Sequence, residues 1–248
     1  MGLNTLRALF LRATGRLLSH EPVVLITILL IILGIWLFVG VTEEVIEADT
    51  QELDERVLLA LRASGHLEDP IGPPWLERMA AEVTALGGIG PLSLFTMAVA
   101  GFLWLNRKRA MLLLVLISVG GGACVSFGLK QLIGRPRPSA VPHLTVVSSA
   151  SFPSGHAFLS AVVYLTVGIL LAATLGRRRL KLYILFVAIL LTFLIGISRV
   201  YLGVHYPTDV LGGWTGGLVW ALSCWVVARR LQKRGAVEAE EDPSPEGE

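Results

Sequence analysis

From Pro22 to Val41 the chain carries no charged side chain, and Leu, Ile and Val dominate the run. About 20 apolar residues in a row make a helix of roughly 30 Å, which is the thickness of the hydrocarbon layer of a bilayer. Five further stretches, near 89–106, 110–129, 157–175, 181–198 and 208–228, have the same character. Inside lipid the backbone must satisfy its own hydrogen bonds, so each such stretch is a helix. The expected fold is therefore an all-α, polytopic membrane protein with six transmembrane helices in one bundle. Composition agrees, with 54% hydrophobic and 16% charged residues, which excludes an ordinary soluble domain. A net charge of +2 gives no footing for a nucleic-acid partner. No obligate protein partner is evident either; the bilayer itself is the partner.

The organisation follows from these runs. Residues 1–21 form an N-terminal segment, 22–228 a membrane core that includes a long outer segment at 42–88, and 229–248 a basic stretch followed by an acidic tail. Arg7, Arg12 and Arg16 resemble the charged start of a signal peptide, but the apolar run after them is too long and lacks a small-residue cleavage site. It reads as a retained anchor. The tail "GAVEAEEDPSPEGE" holds no large apolar side chain except Val237 and is expected to be disordered.

Fourteen of the 21 Lys and Arg residues fall before the first span, in "RKR" at 107–109, in "RRRLK" at 177–181 and in "RRLQKR" at 229–234. With six spans, these four places share one side, which the positive-inside tendency makes cytoplasmic. Both termini are then inside, in a membrane expected to be a bacterial inner membrane. Seven basic residues remain on the other side. Four of them, Lys130, Arg135, Arg137 and Arg199, sit beside span ends. Cations there oppose the sidedness and carry a desolvation cost. A bound anion is one reason for them, and snorkelling to lipid headgroups is the other.

Connectivity brings more polar groups to that level. Lys130 ends the third span, His156 opens the fourth, Ser198 and Arg199 end the fifth, and His205 and Asp209 open the sixth. Pro153, Ser154 and Gly155 start a helix, whose unpaired N–H groups favour an anion. Gly155 leaves room for close approach. Arg137 and Arg199 can offer paired planar donors to a phosphate, and Lys130 a compact charge. His205 and Asp209 are four residues apart, so the carboxylate can hold one imidazole nitrogen and leave the other free to attack phosphorus. His156 can supply a proton to the departing oxygen. The alternatives are a pair of structural histidines or a metal site. Two His and one Asp are few for zinc, and the neighbouring cations would repel any metal, so neither a metal nor another cofactor is expected.

The segments "KQLIGRPRP" at 130–138, "PSGH" at 153–156 and "SRVYLGVHYPTD" at 198–209 resemble the three signature motifs of the type 2 phosphatidic acid phosphatase superfamily. All eleven defining positions match in order, including Pro138, Pro153 and Ser198 as supporting members. The resemblance implies a lipid phosphatase in which His205 attacks phosphorus to give a phosphohistidine, Asp209 orients it and His156 protonates the leaving group. It implies phosphate binding by Lys130, Arg137, Ser154, Gly155 and Arg199, without a metal. An outward-facing site favours a lipid phosphomonoester or pyrophosphate: phosphatidic acid, phosphatidylglycerol phosphate, diacylglycerol pyrophosphate or a polyprenyl pyrophosphate such as undecaprenyl pyrophosphate. The competing readings are a lipid transporter, which would need polar groups near the midplane, and a non-catalytic anionic-lipid-binding protein.

Other features point to packing. "GGGAC" at 120–124 and "GGWTGG" at 212–217 lie inside spans and read as small-residue helix contacts. Cys124 and Cys224 lie at different depths and are not expected to pair. Leu53, Val57 and Leu61, and likewise Met79, Val83 and Leu86, recur at helical spacing in the outer segment, either bordering a lipid entrance or packing on the outer face.

Overall fold

The structure, a computed structural model, describes residues 22–145 and 149–233. The N-terminal arginines, His20, Arg234 and the acidic tail lie outside the described residues. Eight helices and one small hairpin make up the described chain. Helix α1 (Pro22–Glu47) is followed by α2 (Gln51–Ala60), strands β1 (Arg62–Ala63) and β2 (His66–Pro70), α3 (Pro74–Ala85) and α4 (Ile89–Leu105). Then come α5 (Arg109–Ile133), α6 (Gly155–Thr174), α7 (Arg178–Tyr201) and α8 (Pro207–Lys233).

Five of these helices are each long and apolar enough to cross a membrane, and the bent pair of α3 and α4, at 47° to one another, gives a sixth crossing if taken together. The chain is an integral membrane protein of mostly helical structure. A helix covers each of the six expected stretches, with 89–106 long enough to cross only together with α3. The helices run past the apolar limits at several ends, as where α1 continues through Glu43 and Glu44 to Glu47. Once the chain leaves hydrocarbon, polar residues of fair helix propensity keep the ladder going.

Helix α6 is the axis. It packs against α5, α7 and α8, while α1 leans on α8 from outside. More than half of its span is buried, against about a tenth for α1. Glycines set how closely α8 approaches. A Cβ on Gly213 would fall 2.7 Å from the Ser154 carbonyl, and one on Gly217 2.8 Å from the Ala161 Cβ. The "GGWTGG" stretch is thus a contact surface between helices, as its position inside a span suggested. The consequence for the site is direct: the N-terminal turn of α8 is held against the start of α6. Gly121 similarly accepts the Trp220 ring, whose Nε1 donates to the Ser118 carbonyl at 2.7 Å. Cys124 and Cys224 are both free.

The outer segment contains more structure than its sequence pattern suggests. An antiparallel hairpin pairs Ala63 with His66 across Gly65, which has a φ of +83° that glycine adopts without strain. Neither short strand alternates clearly in polarity, so periodicity could not expose it. Helix α2 turns Leu53 outward and buries Leu58, with Val57 and Leu61 beside it, against Val141, Val200 and Tyr206. Packing is therefore the role of this helix face. On α3, Ala80 and Thr84 are buried while Met79 is exposed.

Candidate active site

Four helix ends and two loops meet at one end of the bundle. Helix α5 stops where Gly134 takes a left-handed φ of +62° and its N–H caps the Lys130 carbonyl. Arg135 and Arg137 follow in non-helical conformation, and α6 begins at Gly155. Helix α7 ends at Tyr201, and residues 202–206 pass His205 into α8, whose first residue is Pro207, suited to that position because it has no N–H to leave unpaired. The backbone N–H of Ser154 donates to the Asp209 carbonyl at 2.9 Å, which ties the starts of α6 and α8 together.

His205 is almost wholly buried. Its Nδ1 lies 3.3 Å from Asp209 Oδ2, and its Nε2 lies 3.2 Å from Arg137 Nη1. A carboxylate only accepts and a guanidinium only donates, so the two contacts together fix the tautomer with the proton on Nδ1. Nε2 is thus unprotonated, its lone pair accepting from Arg137 Nη1. Burial lowers the His205 pKa to about 3; the Asp209 carboxylate opposes that shift, while the charges of Arg137 and Arg199 add to it. The ring is neutral at physiological pH. Asp209 Oδ2 is itself held by the Tyr206 N–H at 2.9 Å and by the Ser151 hydroxyl.

The basic residues divide into two kinds. Arg137 donates from Nε to the Ser149 carbonyl at 2.7 Å and from Nη1 to the Val204 carbonyl at 2.6 Å, both neutral acceptors. Burial lowers its pKa, although Asp209 pulls the other way. Lys130 Nζ bonds the carbonyls of Ala150 and Ser151. Arg199 Nη1 donates to the Thr84 hydroxyl at 3.0 Å, and its buried Nε has no partner. No carboxylate pairs with these three among the described residues.

Arg135 belongs to the other kind. It is clamped between Asp209 Oδ1 at 2.7 Å and Asp54 Oδ2 at 2.8 Å, so the outward charge that sequence grouped with the anion binders is already matched inside the protein. Burial would lower its pKa, but the two carboxylates outweigh that and raise it.

A cavity of about 810 Å³ opens over this cluster. Lys130, Arg137, Gly155, His156, Arg199 and His205 all line it. The structure thus brings together the expected histidines and three cations. A Cβ on Gly155 would stand 3.4 Å from Lys130 Cε, so the backbone there is open to close approach. Ser154 is buried with an unpartnered Oγ. Pro153 is buried, and the Pro138 carbonyl lies 2.7 Å from His143 Nε2, which keeps His143 outside the cluster. Ser198 turns away, donating to the Ile195 carbonyl in its own helix at 2.6 Å.

The outer segment supplies residues that sequence reasoning missed. Thr84 and Gly87 line the cavity from the bend between α3 and α4, and Asp54 and Gln51 reach Arg135 from α2. The only sequence signal for them was a pair of charged or polar positions within an amphipathic run. The cavity also continues away from the cations between α4, α5 and α6, along Leu92, Val119, Ala123, Leu159 and Val163. From Lys130 back to Val119 this apolar slot runs about 16 Å along the helix axis, at about 1.5 Å per residue. Among the described residues, no group of three or more His, Cys, Asp or Glu side chains is arranged to hold a metal.

The fold and site define an integral membrane protein with a cationic, histidine-bearing pocket at the helix ends. Residues 110–233, half of the chain, match the model of the PAP2 superfamily. Phosphatidylglycerophosphatase B of Bacillus subtilis (strain 168) is 38% identical over 152 residues, which are 60% of this chain and 73% of that protein. Dolichyldiphosphatase 1 of Mus musculus is 28% identical over 178 residues, covering 67% of this chain and 70% of the other. The crystal structure of a transmembrane PAP2-type phosphatidylglycerolphosphate phosphatase from Bacillus subtilis aligns with a TM-score of 0.72 at 29% identity, over 82% of this chain and 96% of that one. The chain belongs to the PAP2 superfamily and is a membrane phosphatase of that family.

Proposed function

We propose that this phosphatase hydrolyses the phosphomonoester or pyrophosphate of a membrane lipid through a phosphohistidine at His205. The observation that carries the reading is the orientation of His205, with Nδ1–H on Asp209 and an unprotonated Nε2 beside Arg137, in a cavity lined by three cations that no carboxylate pairs with among the described residues. Nε2 forms a bond to phosphorus while the bond from phosphorus to the leaving oxygen breaks, and His156 gives that oxygen its proton. Asp209 stabilises the imidazolium character that develops on His205. A water molecule then attacks phosphorus on the opposite side from Nε2, the P–N bond breaks, and His156 takes the proton from the water. Lys130, Arg137, Arg199, the unpartnered Ser154 hydroxyl and the Gly155 N–H hold the equatorial oxygens, where charge is spread in the transition state.

The apolar slot supports a lipid substrate, because its walls would take a hydrocarbon tail while the phosphate sits at its polar end. Phosphatidylglycerol phosphate and polyprenyl pyrophosphates head the substrate classes, in line with the names of the relatives. The distribution of Lys and Arg supports a pocket on the outer face of a bacterial inner membrane, with both termini cytoplasmic.

The test is phosphate release by purified protein in mixed micelles containing phosphatidylglycerol phosphate, undecaprenyl pyrophosphate or phosphatidic acid, with and without EDTA. Turnover unaffected by EDTA, abolished by His205→Ala and cut at least a hundredfold by His156→Ala, is expected. Full turnover by His205→Ala would overturn the reading.

A further inference from the structure

Asp54 lies in α2, about 80 residues from Arg135 and about 155 from Asp209, outside every motif, yet it is one of the most buried charged groups in the chain. Each of its oxygens is used. Oδ1 accepts the Thr208 N–H at 3.1 Å, in the first turn of α8, and Oδ2 accepts Arg135 Nη2 and the Thr208 hydroxyl. Arg135 in turn spends Nη1 on Asp209 Oδ1 and on Thr208, and its guanidinium lies 4.2 Å from the centre of the Tyr206 ring. The order of contacts is therefore Asp54, Arg135, Asp209, His205.

The charge count along this chain gives Asp54 a purpose. A guanidinium paired with Asp209 alone would neutralise the carboxylate that must stabilise a cationic imidazole. Sharing Arg135 with a second carboxylate leaves the three-residue unit at net −1, with Asp209 still rigidly held. Burial makes this matter, because charges out of water are weakly screened. Arg135 is not among the residues lining the cavity, so the unit acts on the nucleophile and not on the bound anion.

We propose that Asp54 is a positioning residue for the reaction: through Arg135 it keeps Asp209 both aimed at His205 and effectively anionic, so that Nε2 is a competent nucleophile. This rests on the phosphohistidine reading above, and it adds to that reading a residue from the outer segment.

The experiment uses the full-length protein in detergent, with two anion probes and one substrate. Orthovanadate accepts a bond from an attacking nitrogen and so reports on Nε2, whereas inorganic phosphate reports on the cations alone. Isothermal calorimetry gives the affinity for each, and phosphate release from dioctanoyl phosphatidic acid gives kcat and KM. Asp54→Asn, close in shape and without the charge, is expected to lower kcat at least tenfold with KM within twofold. It should weaken orthovanadate about tenfold and leave phosphate within twofold. In an Arg135→Gln background the same change should lower kcat no further, since the two residues act as one unit. Asp54→Ser, which keeps a hydroxyl near the α8 terminus, gives the same comparison where Asp54→Asn does not stay monodisperse. Equal weakening of both anions, an unchanged kcat, or a further tenfold loss in the Arg135→Gln background would overturn the proposal. A wild-type protein that binds both anions but releases no phosphate would remove the phosphatase reading, and the two affinities would still decide for or against Asp54.

Discussion

The hydroxyl of Thr84, in the last turns of α3, accepts a 3.0 Å hydrogen bond from Nη1 of Arg199 at the end of α7. The contact crosses between two helices that the sequence separates by more than a hundred residues, and it orients the guanidinium at the cavity wall. Thr84→Val keeps the shape and removes the acceptor. A buried charged donor left without its partner is unfavourable by about 1–3 kcal/mol, and the side chain gains freedom to leave the cavity wall. Phosphate affinity should fall about tenfold, as measured by calorimetry, with turnover at saturating substrate reduced less.

Gly87 stands at the bend between α3 and α4. A Cβ there would run into Ile195 Cγ2 and come within 3.3 Å of His156 Cδ2, whereas one on Gly90 would meet nothing within 4 Å. Gly87→Ala should therefore displace His156, lowering kcat at least tenfold and depressing the melting temperature. Gly90→Ala, in the exposed first turn of α4, should leave kcat unchanged and raise stability by up to about 1 kcal/mol, from helix propensity alone. Paired thermal denaturation and phosphate-release assays check both.

Much of the site was legible because motif residues sit at span ends, where hydropathy and connectivity alone fix their level in the membrane. His156, Arg199 and His205 were brought together in this way, and the cavity contains them. Arg135 shows where such reasoning stops. In sequence it is one more outward cation two residues from Arg137, and only the arrival of Asp54 from α2 distinguishes a clamped charge from an unmatched one. Thr84, Gly87 and Asp54 were invisible for the same reason. Each comes from the segment 42–88, whose contacts are long-range and whose helices betray only which face is apolar. The hairpin at 62–70 was missed because strands this short carry no usable period.

The pKa of His205, lowered to about 3 by burial and opposed by Asp209, has a consequence for stability. In the unfolded chain the same imidazole titrates near 6.5, so between pH 6.5 and 3 the unfolded state binds the proton and the folded state does not. Stability should be unaffected by this group above about pH 6.5 and fall as pH drops below it. His205→Gln removes the group. Its melting temperature, followed from pH 7.5 to 5 in detergent, should decline less steeply than that of the wild type.

Under the proposed function, the apolar slot between α4, α5 and α6 separates two contributions to lipid recognition that can be varied independently. The cationic end is lined by Lys130, Arg137, Arg199 and Gly155, while Ala123 lies about two turns of α5 below Lys130 and lines the same cavity. A dihexanoyl lipid phosphate reaches only a short way down the slot, but a dioleoyl or prenyl chain must pass Ala123. Filling that position with Ala123→Phe should raise KM for long-chain substrates about tenfold or more and leave the dihexanoyl substrate within twofold. The affinity for inorganic phosphate should not change, because no hydrogen-bonding group has moved. Equal KM increases for short and long chains would mean that tails leave the site by another route, with the slot filled by bulk lipid.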